Sequence, residues 1–270
     1  MKTMGSSMII GQYVPGNSFV HQIDPRSKML IIFFYVIFVF FANNVWSYSL
    51  LTLFIIITII ITRIPIKFII KGLTPIWFLI IFTFLLHLFL TKEGSVAFEI
   101  LSYKFYWGGI KMGLVISLRF CLLVLMTSLL TLTTTPIEIT DATESLLGPL
   151  KKMRFPVHEL ALMMSISLRF IPTLMQETDK ISKAQASRGV DFRTGKIKDR
   201  IKAIIPLLVP LFVNAFKRAE ELAMAMEARG YRGDEGRTKL RELKYETKDV
   251  IAFIIFIIVI IVLFIVRSYG

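Results

Sequence analysis

Five stretches of this chain are apolar for close to the length of a bilayer crossing, near 28 to 45, 46 to 62, 73 to 90, 110 to 132 and 249 to 266. A helix rises about 1.5 Å per residue and a hydrocarbon core is about 30 Å thick, so about 20 mostly apolar residues make a span. Inside that core the backbone finds no water, and a helix satisfies its own N–H and C=O groups. Hydrophobic residues make up 55% of the chain, above the roughly 45–50% of soluble domains. The bilayer is therefore part of its solvent, and the fold expected is an all-α integral membrane protein with about five transmembrane helices. The first two spans are divided only by Ala42-Asn43-Asn44, read as a tight surface turn because asparagine tolerates left-handed backbone.

The formal net charge of +13 is explained by positive-inside topology rather than by a nucleic-acid partner. Arg26 and Lys28 precede the first span, Arg63, Lys67 and Lys71 follow the second, and most remaining basic residues fall between Thr133 and Lys248. The opposite loops are poor in excess positive charge, since Lys92 and Lys104 are offset by Glu93 and Glu99. The N-terminus is thus expected in the cytoplasm and the C-terminus outside. Met1 to Ile10 has none of the features of a cleaved signal peptide, so the spans themselves are expected to target the chain.

Four segments follow: a cytoplasmic N-terminal stretch at 1–27, four spans within 28–132, a cytoplasmic domain at 133–248 and the last span with an outer tail at 249–270. The cytoplasmic domain, inserted before the last span, lacks alternating strand patterns and is read as helical. Thr135-Pro136 marks a helix start, with Glu138 and Asp141 near its positive end. Pro149, Pro156, Pro172, Pro206 and Pro210 punctuate the rest. From about 200 to 228 apolar residues recur with helical period, at Ile201, Ile204, Ile205, Leu208, Leu211, Phe212, Ala215, Phe216, Ala219, Leu222, Ala223 and Met226, while Lys202, Lys217, Arg218, Glu220 and Glu221 occupy the other face, so the helix is expected to bury one side and wet the other. Met163, Met164, Met175, Met224 and Met226 fit either a surface that repacks against several partner shapes or plain helix-core filling.

Within this domain Ala184-Gln185-Ala186-Ser187-Arg188-Gly189 is echoed by Ala225-Met226-Glu227-Ala228-Arg229-Gly230, 41 residues on. One copy is explained by helix termination, since arginine suits the negative end and glycine the left-handed cap. Two copies fit a pair of helix tips, each presenting one guanidinium to an acidic groove on another protein.

Paired small-Arg-Gly motifs in a basic helical domain after four spans resemble the T component of energy-coupling factor transporters. The start Gly11-Gln12-Tyr13-Val14-Pro15-Gly16-Asn17-Ser18, then Ile23-Asp24-Pro25-Arg26-Ser27-Lys28, and the segment Arg169-Phe170-Ile171-Pro172 are similar to that family as well. The resemblance covers essentially the whole chain. It implies a non-catalytic scaffold in a prokaryotic plasma membrane, coupling two ABC-type ATPase subunits to a substrate-binding membrane S component for vitamin or transition-metal uptake. It also implies that ATPase contact falls on Ala186, Ser187, Arg188, Gly189, Glu227, Ala228, Arg229 and Gly230, centred on the arginines.

Other chemistry finds little support. Gly189-Val190-Asp191-Phe192-Arg193-Thr194-Gly195-Lys196-Ile197 has one residue too many for a phosphate loop and ends in isoleucine, which cannot supply a magnesium-binding hydroxyl. ATP and Mg²⁺ are therefore expected on the partner ATPases, with no cofactor here. His158-Glu159 lacks the second histidine of a zinc-protease motif, His21 and His87 stand far off, and Cys121 is the one cysteine. No metal site is expected and no internal disulfide can form. Arg119 lies inside the fourth span, where a charge costs about 2.5–3.5 kcal/mol at a helix centre on insertion scales. It fits either a polar helix interface or a side chain snorkelling to the outer surface. The rival reading is a self-contained secondary transporter, which calls for several mid-membrane ionisable residues and repeated halves within the spans; a membrane-bound enzyme would need a nucleophile-and-base or paired-carboxylate constellation.

Overall fold

The structure, a computed structural model, describes residues 13–100, 103–153, 155–190, 197–233 and 243–269. Its helices are α1 (Phe19–Gln22), α2 (Pro25–Val39), α3 (Val45–Thr62), α4 (Ile66–Leu90), α5 (Trp107–Thr133), α6 (Pro136–Leu146), α7 (Val157–Ser187), α8 (Ile197–Ala228) and α9 (Thr247–Ser268). The helical fold expected from the apolar runs is the fold observed. A small antiparallel hairpin, β1 (Val96–Ile100) with β2 (Tyr103–Tyr106), pairs Glu99 with Lys104 in the loop before α5 and was not foreseen.

The chain divides into two compact units: Gly11–Ala142 with Leu243–Gly270, and Thr143–Glu242, counting the described residues within those bounds. In the first unit α2, α3, α5 and α9 close around Ile31, Tyr35, Leu51, Ile55, Leu122, Met126, Leu129, Phe256 and Leu263. Tyr35 stacks on Phe54, and Phe54 meets Phe256, each pair with ring centroids 6.0 Å apart. α4 joins by lying along α5, where Gly109 and Gly113 admit the other helix: a Cβ on Gly109 would stand 2.8 Å from the His87 carbonyl oxygen. Missing side chains thus let two backbones approach, as is common in membrane helix pairs.

Span boundaries depart from the apolar runs in three places. α2 has 15 residues, about 22 Å of rise, and stops at Val39 in a tightening turn where the amides of Phe41 and Ala42 reach the carbonyls of Phe38 and Val39. α4 bends by 59° between Ile66–Thr74 and Ile76–Leu90, at Pro75, which has no N–H for the helical ladder. α7, placed by sequence in the cytoplasmic domain, is itself long and apolar enough to cross a bilayer. Among the described residues α3, α5, α7 and α9 meet that condition, with α4 a fifth if its two arms form one span. α7 qualifies because its charges gather in its second half, leaving Leu160, Met163, Met164 and Ile171 exposed in the first. The Asn43-Asn44 turn does separate α2 from α3, but Asn44 is an extended N-cap, and among the described residues the left-handed non-glycine residue is Arg63 at the end of α3.

A buried polar cluster lies where α1, α2, α5 and α9 converge. Asp24 caps α2, accepting the Arg26 amide at 2.8 Å while the Arg26 guanidinium closes on the same carboxylate at 3.0 Å. Lys28, 5% exposed, donates from Nζ to the His21 carbonyl and the Thr133 carbonyl, both at 3.1 Å, and to Thr134 Oγ1 at 3.2 Å. The Val14 amide takes the neighbouring carbonyl of Leu132 at 3.0 Å. Last-turn carbonyls of α5, which have no partner within their own helix, are therefore satisfied by the N-terminal segment. Burial lowers the pKa of His21, which bridges Ser18 and the Val14 carbonyl as a neutral ring at pH 7.

Candidate functional site

α7 and α8 pack against each other in opposite directions. Gln185 near the end of α7 meets Pro206 near the start of α8, Glu177 pairs with Arg218, and Ile166 and Phe170 line a shared groove with Leu222, Ala223 and Met226. Arg218 also lies over the Phe170 ring, 6.0 Å from its centroid. The Phe170 of the Arg169-Phe170-Ile171-Pro172 segment is thus a seam residue. Ala215, Ala219 and Ala223 line the same groove from the α8 side. Both helices run on through internal prolines, Pro172 in α7 and Pro206 with Pro210 in α8.

The prolines explain the Gln185 contact. The Pro206 carbonyl would normally accept the amide of residue 210, and Pro210 has none to give. Gln185 Nε2 supplies the missing donor at 3.3 Å. The side chain that does so belongs to the first echoed motif, a role that its sequence spacing did not disclose.

The two motifs end their helices identically. At the first, the Gly189 amide donates to the Ala186 carbonyl at 3.0 Å and the Val190 amide to the Gln185 carbonyl at 3.1 Å. At the second, the Gly230 amide donates to the Glu227 carbonyl at 2.9 Å and the Tyr231 amide to the Met226 carbonyl at 3.0 Å. Each is the six-to-one, five-to-two pattern of a Schellman cap. Gly189 and Gly230 take φ of +86° and +74°, and a Cβ would meet nothing within 4 Å at either. Backbone handedness, not space, requires glycine there.

The consequence is electrostatic. The caps satisfy helix-end carbonyls with main-chain donors, so the arginine side chains are not consumed in capping. Arg188 and Arg229 are exposed and pair with no other described residue, and Ala186, Ser187, Gly189, Glu227, Ala228 and Gly230 are exposed around them. Because α7 and α8 run antiparallel, the tips lie at opposite ends of the pair; from Pro206 to Arg229 is roughly 35 Å along α8 at 1.5 Å per residue. The motifs are brought into equivalent settings, not into one site.

The remaining candidates fall as follows. Arg119 donates from Nε and Nη2 to the Tyr48 hydroxyl at 3.2 and 2.7 Å and lies over the Phe40 ring, which selects the polar helix interface over snorkelling. His158, buried, pairs through Nδ1 with Glu144 Oε1 at 3.2 Å, and His87 contacts Thr91 within its own helix end. Met163, Met164 and Met224 are exposed rather than core. Most of the Gly189 to Ile197 loop, Gly11 and Gln12 lie outside the described residues. The apolar side of α8 expected to be buried is in large part uncovered: Ile205, Phe212 and Phe216, with Val209, stay exposed, Phe216 at 72%.

Residues 16–240 match the family described as cobalt transport protein, CbiQ. A Bacillus subtilis (strain 168) protein named energy-coupling factor transporter transmembrane protein EcfT is 61% identical over 265 residues, 98% of this chain and 100% of the relative. A Listeria innocua protein of the same name is 51% identical over 98% of this chain and 100% of its own length, and one from Staphylococcus aureus is 48% identical over 99% and 100%. The match over residues 16–240 and the near full-length relatives show that the chain belongs to the CbiQ family and is a transmembrane component of the energy-coupling factor type.

Proposed function

We propose that this chain is the non-catalytic coupling scaffold of an energy-coupling factor transporter, taking up a vitamin or a transition metal. Two ABC-type ATPase subunits dock on the tips centred on Arg188 and Arg229, with Ala186, Ser187, Gly189, Ala228 and Gly230 forming a small surround to which Glu227 adds one carboxylate. A membrane S component binds the substrate. ATP and Mg²⁺ reside on the ATPases, and this chain holds no cofactor. It sits in a prokaryotic plasma membrane with its N-terminus and both tips cytoplasmic and its C-terminus outside, a reading supported by the excess of Lys and Arg on the loops so placed.

The observation that carries this reading is the recurrence of one cap at both tips, each leaving an exposed guanidinium. A planar guanidinium engages a carboxylate through two parallel hydrogen bonds, so small angular shifts of a docked partner are transmitted rather than absorbed. The exposed apolar face of α8 suits a membrane-embedded partner. A self-contained secondary transporter would place ionisable residues against one another within the bundle, whereas Arg119 is engaged by Tyr48 and Phe40.

The test is co-expression of the tagged chain with its two candidate ATPases, followed by purification in detergent. Retention by wild type, with loss in a folded Arg188→Glu, Arg229→Glu double variant, supports the scaffold and its contact sites. Failure of wild type to retain the ATPases would overturn the reading.

A further inference from the structure

The chain leaves the membrane unit once, through α6, and returns once, ahead of α9. Both passages are held by one segment, Asp24–Lys28, the way out by Lys28 and the way back by Asp24 and Arg26. On the way out, Lys28 Nζ grips the Thr133 carbonyl and Thr134 Oγ1 at 3.1 and 3.2 Å, where α5 gives way to α6. On the way back, the Asp24 amide donates to Asp249 Oδ1 at 2.7 Å, and the other oxygen of that carboxylate accepts the Glu246 amide at 2.7 Å, closing the first turn of α9. The Arg26 guanidinium, fixed by Asp24, lies over the Tyr245 ring 4.1 Å from its centroid. Asp24, Lys28, Thr133, Thr134 and Asp249 are all buried, Asp249 at 1%.

We propose that Asp24–Lys28 is a clamp that positions both chain crossings, so that displacement of the α7–α8 unit enters the membrane bundle through α5 and α9 together. The clamp rests on the coupling function above and adds the route inward from the tips. Buried ammonium and carboxylate groups are costly unless fully bonded, and here Lys28 spends all three protons on the α1 and α5 ends. Its partners are main-chain oxygens and one hydroxyl, so it fixes backbone position directly. Without the clamp, the junction after α5 and the first turn of α9 would move independently, and motion at the tips would dissipate there. Lys28, Asp24 and Asp249 are positioning residues; none touches substrate.

Hydrogen exchange on the complex of this chain with its two ATPases in nanodiscs tests this, comparing the nucleotide-free state with Mg-ATP trapped by vanadate. In wild type, nucleotide should change exchange at the tips of α7 and α8 and also in the last turn of α5 and the first turn of α9. In Lys28→Met the changes at the tips should persist while those in α5 and α9 are lost. Thr134→Val, which keeps the side-chain shape and removes one acceptor, should give a partial loss and guards against a variant that fails to assemble. Full changes in α5 and α9 in both variants would overturn the clamp and leave the scaffold intact. No nucleotide-dependent change at the tips of wild type would instead overturn the scaffold, and the clamp with it.

Discussion

The side-chain amide of Gln185 donates to the carbonyl of Pro206 at 3.3 Å, joining the first helix tip to the point where α8 lacks a main-chain donor. Gln185→Leu is expected to leave that carbonyl unsatisfied and weaken the α7–α8 pairing by about 1 kcal/mol. Faster exchange or earlier proteolysis around Pro206 to Pro210, with helix content unchanged, is the measurement. Gln185→Glu should do the same, since a carboxylate cannot donate.

Gly189 and Gly230 carry positive φ with open space around them. Gly→Ala at either should cost about 1–2 kcal/mol of local strain, while Gly→Asn should cost less because asparagine tolerates this region. Binding of the ATPase pair should fall in the order Gly, Asn, Ala. Equal retention of all three would show that the cap is not needed to aim the arginine.

Arg188→Lys and Arg229→Lys retain charge and lose the planar fork. Each is expected to reduce transport by the reconstituted transporter while leaving the chain inserted and folded. Unchanged transport in both would remove the arginines from the coupling contact.

On the membrane side, Gly109 stands against main-chain oxygens of α4, with a Cβ placed 2.8 Å from His87 and 3.0 Å from Thr91. Since these are backbone atoms, α4 or α5 must shift, and Gly109→Ala should destabilise the fold by about 1–3 kcal/mol. Thermal unfolding in detergent reads this directly. Tyr48→Phe removes the acceptor of Arg119 and should cost about 0.6 kcal/mol, the average for hydrogen bonds between membrane helices, and at most about 1.7 kcal/mol.

Features governed by neighbouring residues were legible in the sequence. The glycine caps, the Thr135 to Glu138 box, with reciprocal bonds of 3.0 and 3.3 Å, and the long runs of α5 and α9 all follow from local spacing. Features set by distant partners were not. Lys28 reads as a flanking topology charge because Thr133 and Thr134 lie more than a hundred residues away, and burial there reverses its meaning. The short α2 begins at Asp24-Pro25, upstream of two charges that a hydropathy reading excludes. Likewise the apolar period of α8 suggests a helix that hides one face, yet Leu211, Ala215, Leu222 and Met226 are only half-buried and Phe212 and Phe216 stay exposed.

α7 and α8, with 31 and 32 residues, run in opposite directions and finish in the same cap, so an approximate twofold axis passes across their seam. The 41-residue echo is the sequence trace of that dyad. A surface of this symmetry offers the same chemistry twice, once at each end, and it is matched by a partner that is itself a pair of similar subunits. In the proposed scaffold this recurrence gives one polypeptide the valency of a dimer, and the positions that differ between the motifs, Gln185 against Met226, Ala186 against Glu227 and Ser187 against Ala228, are where it would tell the two ATPases apart.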